Sequence, residues 1–457
     1  MSTEEAENYR DHSIRWAVIT SMISKAGTVL LRLISIPIAI RTLGYEEFGA
    51  YVAIIMVVAM IDMLHVGIGP AITQGISRAL AKGDREREQA VFSTGVLMSA
   101  GLTALIAGIM AAIIWHLPIP VLFGEEFAPY ADSMARAIWI ALGIVTIELI
   151  CAVCEKARDG YMETRYTNAW GAASNLLAAI GLIVGLRFFP TIEFLVLVIC
   201  GSIALAKLGN TVHLLIQRPY LFPWFSKFRR TLVKPLLGDG MRFTVTYGLS
   251  CILEYNVLAW FAGQLIGPSA TATWSILVTV HFSATGLMQM LTIPMWPALM
   301  DAHERNDLAW IRRSAKKITR IALGFGLCFW VGFVSLAPLA LPIWAGEGFA
   351  LSHLGLTMFA TYFVLHLWRI TNQMLILGIG KTQFCMITIL VEATLVLGAA
   401  LWALGNFESL TAMYGAIAVC LLMVSAWVFP VTFWREVAEE SEGEVPEILP
   451  TGGSAIR

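Results

Sequence analysis

The chain returns again and again to apolar stretches too long for the interior of a water-soluble domain. A helix that crosses a bilayer needs about 20 mostly apolar residues. Twelve stretches of that kind are read along the sequence: Trp16–Ile40, Phe48–Gly69, Ala90–Leu117, Met134–Cys154, Thr167–Leu186, Ile192–Leu215, Phe243–Ile266, Thr271–Leu299, Ile321–Ile343, Leu354–Ile376, Phe384–Leu404 and Leu410–Phe433. They are unbroken runs rather than short alternating segments, which excludes a transmembrane β-barrel. Only 14% of residues are charged, against about a quarter in soluble proteins, so an ordinary water-facing surface cannot be built. A net charge of −1 gives no basis for a nucleic-acid partner. The expected fold is an all-α integral membrane protein with twelve transmembrane helices. The first apolar run is too long for a signal peptide, so the N-terminus is expected to be retained.

Loop charge sets an expected orientation. With both termini and every second loop taken as one side, that side carries 24 Lys and Arg, and the other carries only the 3 residues Arg41, Arg136 and Arg187. The positive-inside rule then places both termini in the cytoplasm. The seven cysteines (151, 154, 200, 251, 328, 385 and 420) all fall in expected spans. The Cys151–Cys154 pair within a helix is read as packing rather than as a redox or metal site.

The chain also contains itself twice. Leu43-Gly44 opens the first outer turn and Ile266-Gly267 the fourth, at an offset of 223 residues. Gly83-Asp84 and Asn306-Asp307 in two basic loops keep the same 223-residue offset, as do Tyr51 and Trp274. With six spans on each side, both halves run in the same direction. That pattern predicts two six-helix lobes related by a parallel pseudo-two-fold axis, with a substrate path between them. The expected divisions are a cytoplasmic N-terminus (1–15), a first lobe (16–216), a linker (217–242), a second lobe (243–434) and an acidic, disordered cytoplasmic tail (435–457). The linker mixes Tyr220, Phe222, Trp224, Phe225 and Phe228 with Lys227, Arg229 and Arg230. Such a segment suits anionic lipid headgroups.

Ionised side chains at mid-bilayer are costly, at about 2.5–3.5 kcal/mol on insertion scales, and point to a cavity or a partner. In the first span Ser21, Lys25, Thr28, Arg32 and Ser35 recur at spacings that share one helical face, with no acid in the span. Tyr362, His366, Arg369 and Gln373 make a similar face in the tenth. Other spans carry Asp62 and His65, Glu148, Lys207, Glu254 with Tyr247 and Asn256, Trp274 with His281, Thr285 and Gln289, and Glu392. Two readings stay open. In one, pairs such as Lys25 with Asp62 merely lock helices together. In the other, Lys25, Arg32, Arg369 and Lys207 hold an anion in a hydrated cavity, since Arg and Lys recognise phosphate oxygens by charge-assisted hydrogen bonds. Ser21, Thr28, Asn256, Trp274 and Gln289 would then supply polar and sugar contacts, and Asp62 and Glu254 are the carboxylates placed to carry a coupling H⁺ or Na⁺. His65, His281 and His366 are read as packing or hydrogen-bonding residues rather than proton carriers. No nucleotide-binding loop, HExxH, GxSxG or metal-ligand cluster occurs, so no enzymatic chemistry and no cofactor is expected.

The stretch from Ser35-Ile36-Pro37 through Arg41-Thr42-Leu43-Gly44-Tyr45-Glu46-Glu47-Phe48-Gly49-Ala50-Tyr51 resembles the first-hairpin signature of polysaccharide-transport (Wzx-type) flippases. These belong to the larger group of multidrug, oligosaccharidyl-lipid and polysaccharide exporters. Tyr45 departs from the proline often found there, and Ile266-Gly267-Pro268 with Trp274 resembles a degenerate second copy. The resemblance implies translocation of an undecaprenyl-pyrophosphate-linked sugar unit from the inner to the outer leaflet of the bacterial cytoplasmic membrane, for O-antigen, capsule or exopolysaccharide assembly. It also implies alternating access around a central cavity, an ion gradient as the driving force, and work alongside polymerase and chain-length regulator proteins. A multidrug exporter of the same group is the first rival, disfavoured by a first span with cations and no acid. A membrane-embedded polymerase or glycosyltransferase is the second, disfavoured by the short outward loops. A peptidoglycan-precursor flippase would be expected to carry two further spans.

Overall fold

Helix is the state this sequence can hold in hydrocarbon, because it satisfies backbone N–H and C=O groups within a single segment. The computed structural model describes residues 3–65, 69–223, 225–234, 236, 252–346 and 348–443. Over these the chain is helix after helix: α1 (Thr3–Leu43), α2 (Tyr45–His65), α3 (Gly69–Ala81), α4 (Arg85–His116), α5 (Ile119–Phe123), a 3₁₀ segment (Glu125–Tyr130), α6 (Ala131–Gly160), α7 (Thr164–Ile180), a π turn (Gly181–Gly185) and α8 (Ile192–Gln217). A second π turn (Ile252–Val257) leads into α9 (Leu258–Ile266), followed by α10 (Pro268–Glu304), α11 (Leu308–Ala345), α12 (His353–Gly378), α13 (Thr382–Phe407), α14 (Leu410–Met423) and α15 (Ser425–Gly443).

Among the described residues, nine helical segments are long and apolar enough to cross a membrane. Three of the twelve expected stretches are not among those nine. Phe48–Gly69 is divided between α2 and α3, with residues 66–68 outside the described ones. Phe243–Ile266 begins outside them. Leu354–Ile376 is helical throughout, in α12, but His366, Arg369, Asn372 and Gln373 lower its hydropathy. Leu105, Leu176, Leu205, Leu327, Leu336, Trp402 and Trp427 are exposed on the helix surfaces. An apolar exterior of this kind suits lipid rather than water.

Two pairs of junctions have the same local structure at the 223-residue offset. Gly44 and Gly267 both take positive φ (97° and 111°). Their N–H groups close on Ile40 O and Gly263 O, each at 2.8 Å. Gly83 and Asn306 also lie in the left-handed region, at φ 66° and 56°. Asp84 and Asp307 then cap the next helix, accepting from Arg87 N at 3.0 Å and Trp310 N at 2.9 Å. A left-handed residue followed by an N-capping aspartate stops one helix and starts the next.

The segments before and after the linker meet at the Gly44–Gly267 end. Tyr45 Oη lies 2.8 Å from Thr273 Oγ1. Gly49 sits so close to Pro268 that a Cβ there would be 1.9 Å from its carbonyl oxygen. Trp344 Nε1 donates to Leu33 O at 2.8 Å, and Trp260 Nε1 donates to Leu122 O at 2.7 Å. A core cluster containing Ile40, Phe48, Trp274, Phe359 and Tyr414 runs through this seam.

Both the linker and the start of the tail pack onto the rest of the chain. The linker is fastened to the first half: Leu221 and Leu236 share a core cluster with Ile72, Phe92 and Cys154. The tail, expected to be disordered from residue 435, is helical through Gly443. Phe433 and Val437 are buried, and Arg312 Nη2 donates to Val437 O at 3.1 Å. These contacts hold the last helix onto α11.

Candidate functional site

Two of the four cations inside the expected spans are already matched by carboxylates. Arg369, on α12, donates both terminal nitrogens to Glu254, through Nη1–Oε1 and through Nη2–Oε2 at 2.7 Å. Its Nη1 also reaches Glu392 Oε2 on α13 at 3.2 Å. All three side chains are buried. Lys207, on α8, places Nζ 2.7 Å from Glu148 Oε1 on α6. Asp62 and Glu155 lie within electrostatic reach of this lysine. The positive charges of Arg369 and Lys207 are therefore compensated from within, which is the helix-locking arrangement.

Local backbone explains how the triad is assembled. The wider π turn aims the adjacent residues Glu254 and Tyr255 at two groups one turn apart on α12, Arg369 and His366. Single-turn π segments often occur at functional sites. Tyr255 Oη stands 2.8 Å from His366 Nε2 and 3.4 Å from His281 Nε2 on α10. The His281 ring stacks on Tyr362, with centroids 5.3 Å apart. A small cavity lined by Glu254, Tyr362, His366, Val396, Ile417 and Leu421 adjoins the triad. Its size suits about one water-sized particle.

Lys25 and Arg32 are placed differently. Both are exposed, and neither forms an ion pair among the described residues. Arg32 lies near Tyr51 of α2. The rest of the expected first-span face divides. Thr28 turns to α7, where it accepts from Asn175 Nδ2 at 3.0 Å. Asn175 also donates to Ser24 O at 3.2 Å, and Asn168 Nδ2 donates to Thr20 Oγ1 at 3.1 Å. Ser35 bonds back to Arg32 O at 3.2 Å. The side chains of Ser21 and His65, and Tyr247 entirely, lie outside the described residues. Asn168 and Asn175 lie seven residues apart, a spacing that puts both amides on one face of α7.

Of the other expected polar contacts, Asn256, Gln289 and Asp62 are half-buried. Trp274 is buried and stacks on Tyr414 with centroids 5.4 Å apart and planes 6° from parallel. It is a core residue here, with no face left for a sugar. Among the described residues no group of His, Cys, Asp and Glu is arranged to hold a metal, and six of the cysteines are free.

A second network fastens the linker. Glu163 accepts from Arg158 Nη1 at 3.1 Å and from Arg218 Nη2 at 2.7 Å. Glu88 Oε2 accepts from the hydroxyls of Tyr161 and Tyr220, at 2.8 and 2.7 Å. Burial, helped by these bonds to Glu88, pushes both phenols above their ordinary range, so they stay protonated donors. Arg229 N donates to Thr94 Oγ1 at 3.1 Å.

Comparison with known proteins agrees with this architecture. Residues 16–295 match the model of a family described as polysaccharide biosynthesis protein. The chain is 24% identical over 357 residues to an Escherichia coli (strain K12) protein named "Putative O-antigen transporter", covering 74% of this chain and 77% of that one. The fold is similar to an inward-facing multidrug resistance MATE family transporter of the MOP superfamily, with a TM-score of 0.77 at 16% identity over 91% of this chain and 96% of that one. An outward-facing MATE transporter of the same superfamily gives a TM-score of 0.62 at 16% identity, over 94% of this chain and 96% of that one. With the family match covering more than half of its residues, the chain belongs to the polysaccharide biosynthesis protein family, and it is a multi-pass membrane protein whose fold is similar to that of MATE transporters of the MOP superfamily.

Proposed function

We propose that this transporter is a flippase, moving an undecaprenyl-pyrophosphate-linked oligosaccharide from the cytoplasmic to the outer leaflet of a bacterial inner membrane by alternating access. The observation that carries this reading is the contrast between two kinds of cation. Lys207 and Arg369 are paired with buried acids, whereas Lys25 and Arg32 are exposed on an apolar helix with no carboxylate partner among the described residues. A cation in a bilayer needs water or an anion. Seven residues of helix separate the two groups by about 10 Å along the axis, a span that lets one anionic headgroup pass from the first to the second.

Several features support the wider arrangement. The matched turns at Gly44/Gly267 and Asp84/Asp307 fit a two-lobe, twelve-span repeat. The contacts between the halves cluster at the Gly44–Gly267 end, which fits a state open toward the basic loops, with both termini cytoplasmic. The relative named as an O-antigen transporter favours a lipid-linked glycan over a drug. Transport is coupled to an ion gradient, and the exported unit passes to polymerase and chain-length regulator proteins. The test is glycan export in a strain lacking the protein. Complementation with the K25A/R32A double variant is expected to leave export at least tenfold below wild type at equal protein level. Normal export by that variant would overturn the assignment.

A further inference from the structure

Four cations on α11 share one helical face. Arg313, Lys316, Lys317 and Arg320 stand at i, i+3, i+4 and i+7, and all four are exposed. None forms an ion pair among the described residues, and α11 itself contains no Asp or Glu. The opposite face, with Ile311, Ala315, Ile318 and Ala322, is buried in a core cluster. At the 223-residue offset, α4 buries its own face in the same register, with Glu88, Phe92, Gly95 and Ser99. The other side of α4 differs. Ala90, Ser93 and Thr94, the counterparts of Arg313, Lys316 and Lys317, are buried as well. There the linker lies over the helix: the Tyr220 hydroxyl donates to Glu88, and Arg229 N donates to Thr94 Oγ1 at 3.1 Å. The α4 face is thus covered, and its α11 counterpart is bare among the described residues.

The segment after α15 starts from the place that corresponds to the start of the linker. Leu214 of α8 and Val437 of α15 keep the same offset, and each is buried in the core cluster that also holds α4 or α11 residues. Val437 O already accepts from Arg312, the neighbour of the first cation. Residues 440–457 stand at the offset positions of 217–234, a stretch that includes Tyr220 and Arg229, so a chain of that length reaches from α8 to the matching face of α4. Residues 440–457 carry Glu440, Glu442, Glu444 and Glu447 with Arg457 as the one Lys or Arg. Opposed charges of this kind select a partner and fix its register.

We propose that the acidic segment 440–457 docks along the Arg313–Lys316–Lys317–Arg320 face of α11, as the linker docks on α4. The occupant is this chain's own tail rather than a lipid headgroup, because four glutamates meet four cations and α15 is already fastened beside them. The tail clasps α15 to α11. The proposal goes beyond the flippase reading and does not depend on it.

The test is carbodiimide cross-linking of the full-length protein in nanodiscs of neutral phosphatidylcholine, read by mass spectrometry on a mixture of isotopically light and heavy chains. This reagent joins a lysine amine to a carboxylate only where the two touch. The expected result is a set of intrachain links from Lys316 or Lys317 to Glu440, Glu442, Glu444 or Glu447, at least fivefold weaker in about 1 M salt, which screens charges beyond about 3 Å. Acetylation of Lys316 and Lys317 is expected to be at least fivefold faster in E440Q/E442Q/E444Q/E447Q than in wild type, with the exposed Lys82 unchanged. Absence of these links, links found only between chains, or protection of the two lysines that appears only when anionic phosphatidylglycerol is added, overturns the proposal.

Discussion

The ammonium of Lys207 and the carboxylate of Glu148 meet at 2.7 Å and tie α8 to α6 in the first half of the chain. The pair sits among Asp62 and Glu155, so the lysine is the positive centre of an acidic cluster. Removing one partner of a buried pair leaves an uncompensated charge, at a cost of about 3–5 kcal/mol. K207A is therefore expected to lower the melting temperature in detergent sharply. The double variant K207M/E148L is expected to recover much of the loss. Equal destabilisation by both would show that the pair is not what holds these helices.

Arg369 makes a stricter demand. Its planar fork serves Glu254 with two nitrogens, which a lysine cannot imitate. R369K is expected to be clearly less stable than wild type, and R369A less stable still. Adding E254Q to R369A is expected to restore part of the loss by removing one of two facing carboxylates. Thermal unfolding in detergent gives the order.

The seam at the Gly44–Gly267 end is expected to open during transport. Tyr45 and Thr273 touch across it. The contact runs through the tip of the tyrosine ring, too far between backbones for a direct disulfide, so a Y45C/T273C variant is expected to be bridged by a reducible bifunctional thiol cross-linker and to lose export, with recovery when the linker is cleaved. Free export by the cross-linked protein would show that this seam stays closed throughout. Replacing Gly49 by leucine is expected to disrupt the seam permanently, since even a Cβ collides with the Pro268 carbonyl.

Asn175 joins α1 to α7 by bonds to Thr28 and Ser24. Interhelical hydrogen bonds in bilayers contribute about 0.6–2 kcal/mol. N175L is expected to lower thermal stability by an amount in that range, while surface substitutions on α7, such as Leu176→Ala, leave it nearly unchanged.

The linker clamp carries a sign for pH. Tyr161 and Tyr220 have phenols raised above the ordinary value by burial first and by Glu88 second. The folded state thus favours the protonated phenol. Its contribution is fully present below the unfolded value of about 10 and fades as pH rises through the folded one. Trypsin cleavage near Arg229 and Arg230 is expected to stay slow at neutral pH in wild type and to accelerate in Y161F/Y220F. Unchanged cleavage in that variant would show that the clamp does not restrain the linker.

Much of this molecule is legible in its sequence. Hydrophobic length decides that the chain is helical and in a membrane, because hydrocarbon offers no partner for an open backbone. Positive-φ glycines and capping aspartates fix the turns locally, so Gly44, Gly267, Asp84 and Asp307 announce their roles without tertiary help. The 3.6-residue period also gathers Tyr362, His366 and Arg369 on one face of α12, where all three are buried. What that face meets is another matter. Arg369 and Arg32 look alike in sequence, as basic residues within apolar runs. Only packing gives Arg369 two carboxylates from other helices and leaves Arg32 exposed. Trp274 likewise reads as a sugar platform until Tyr414, 140 positions away in the chain, covers its face. Periodicity specifies which direction a side chain leaves its helix, but the partner comes from a distant segment, and that pairing exists only once the helices are assembled.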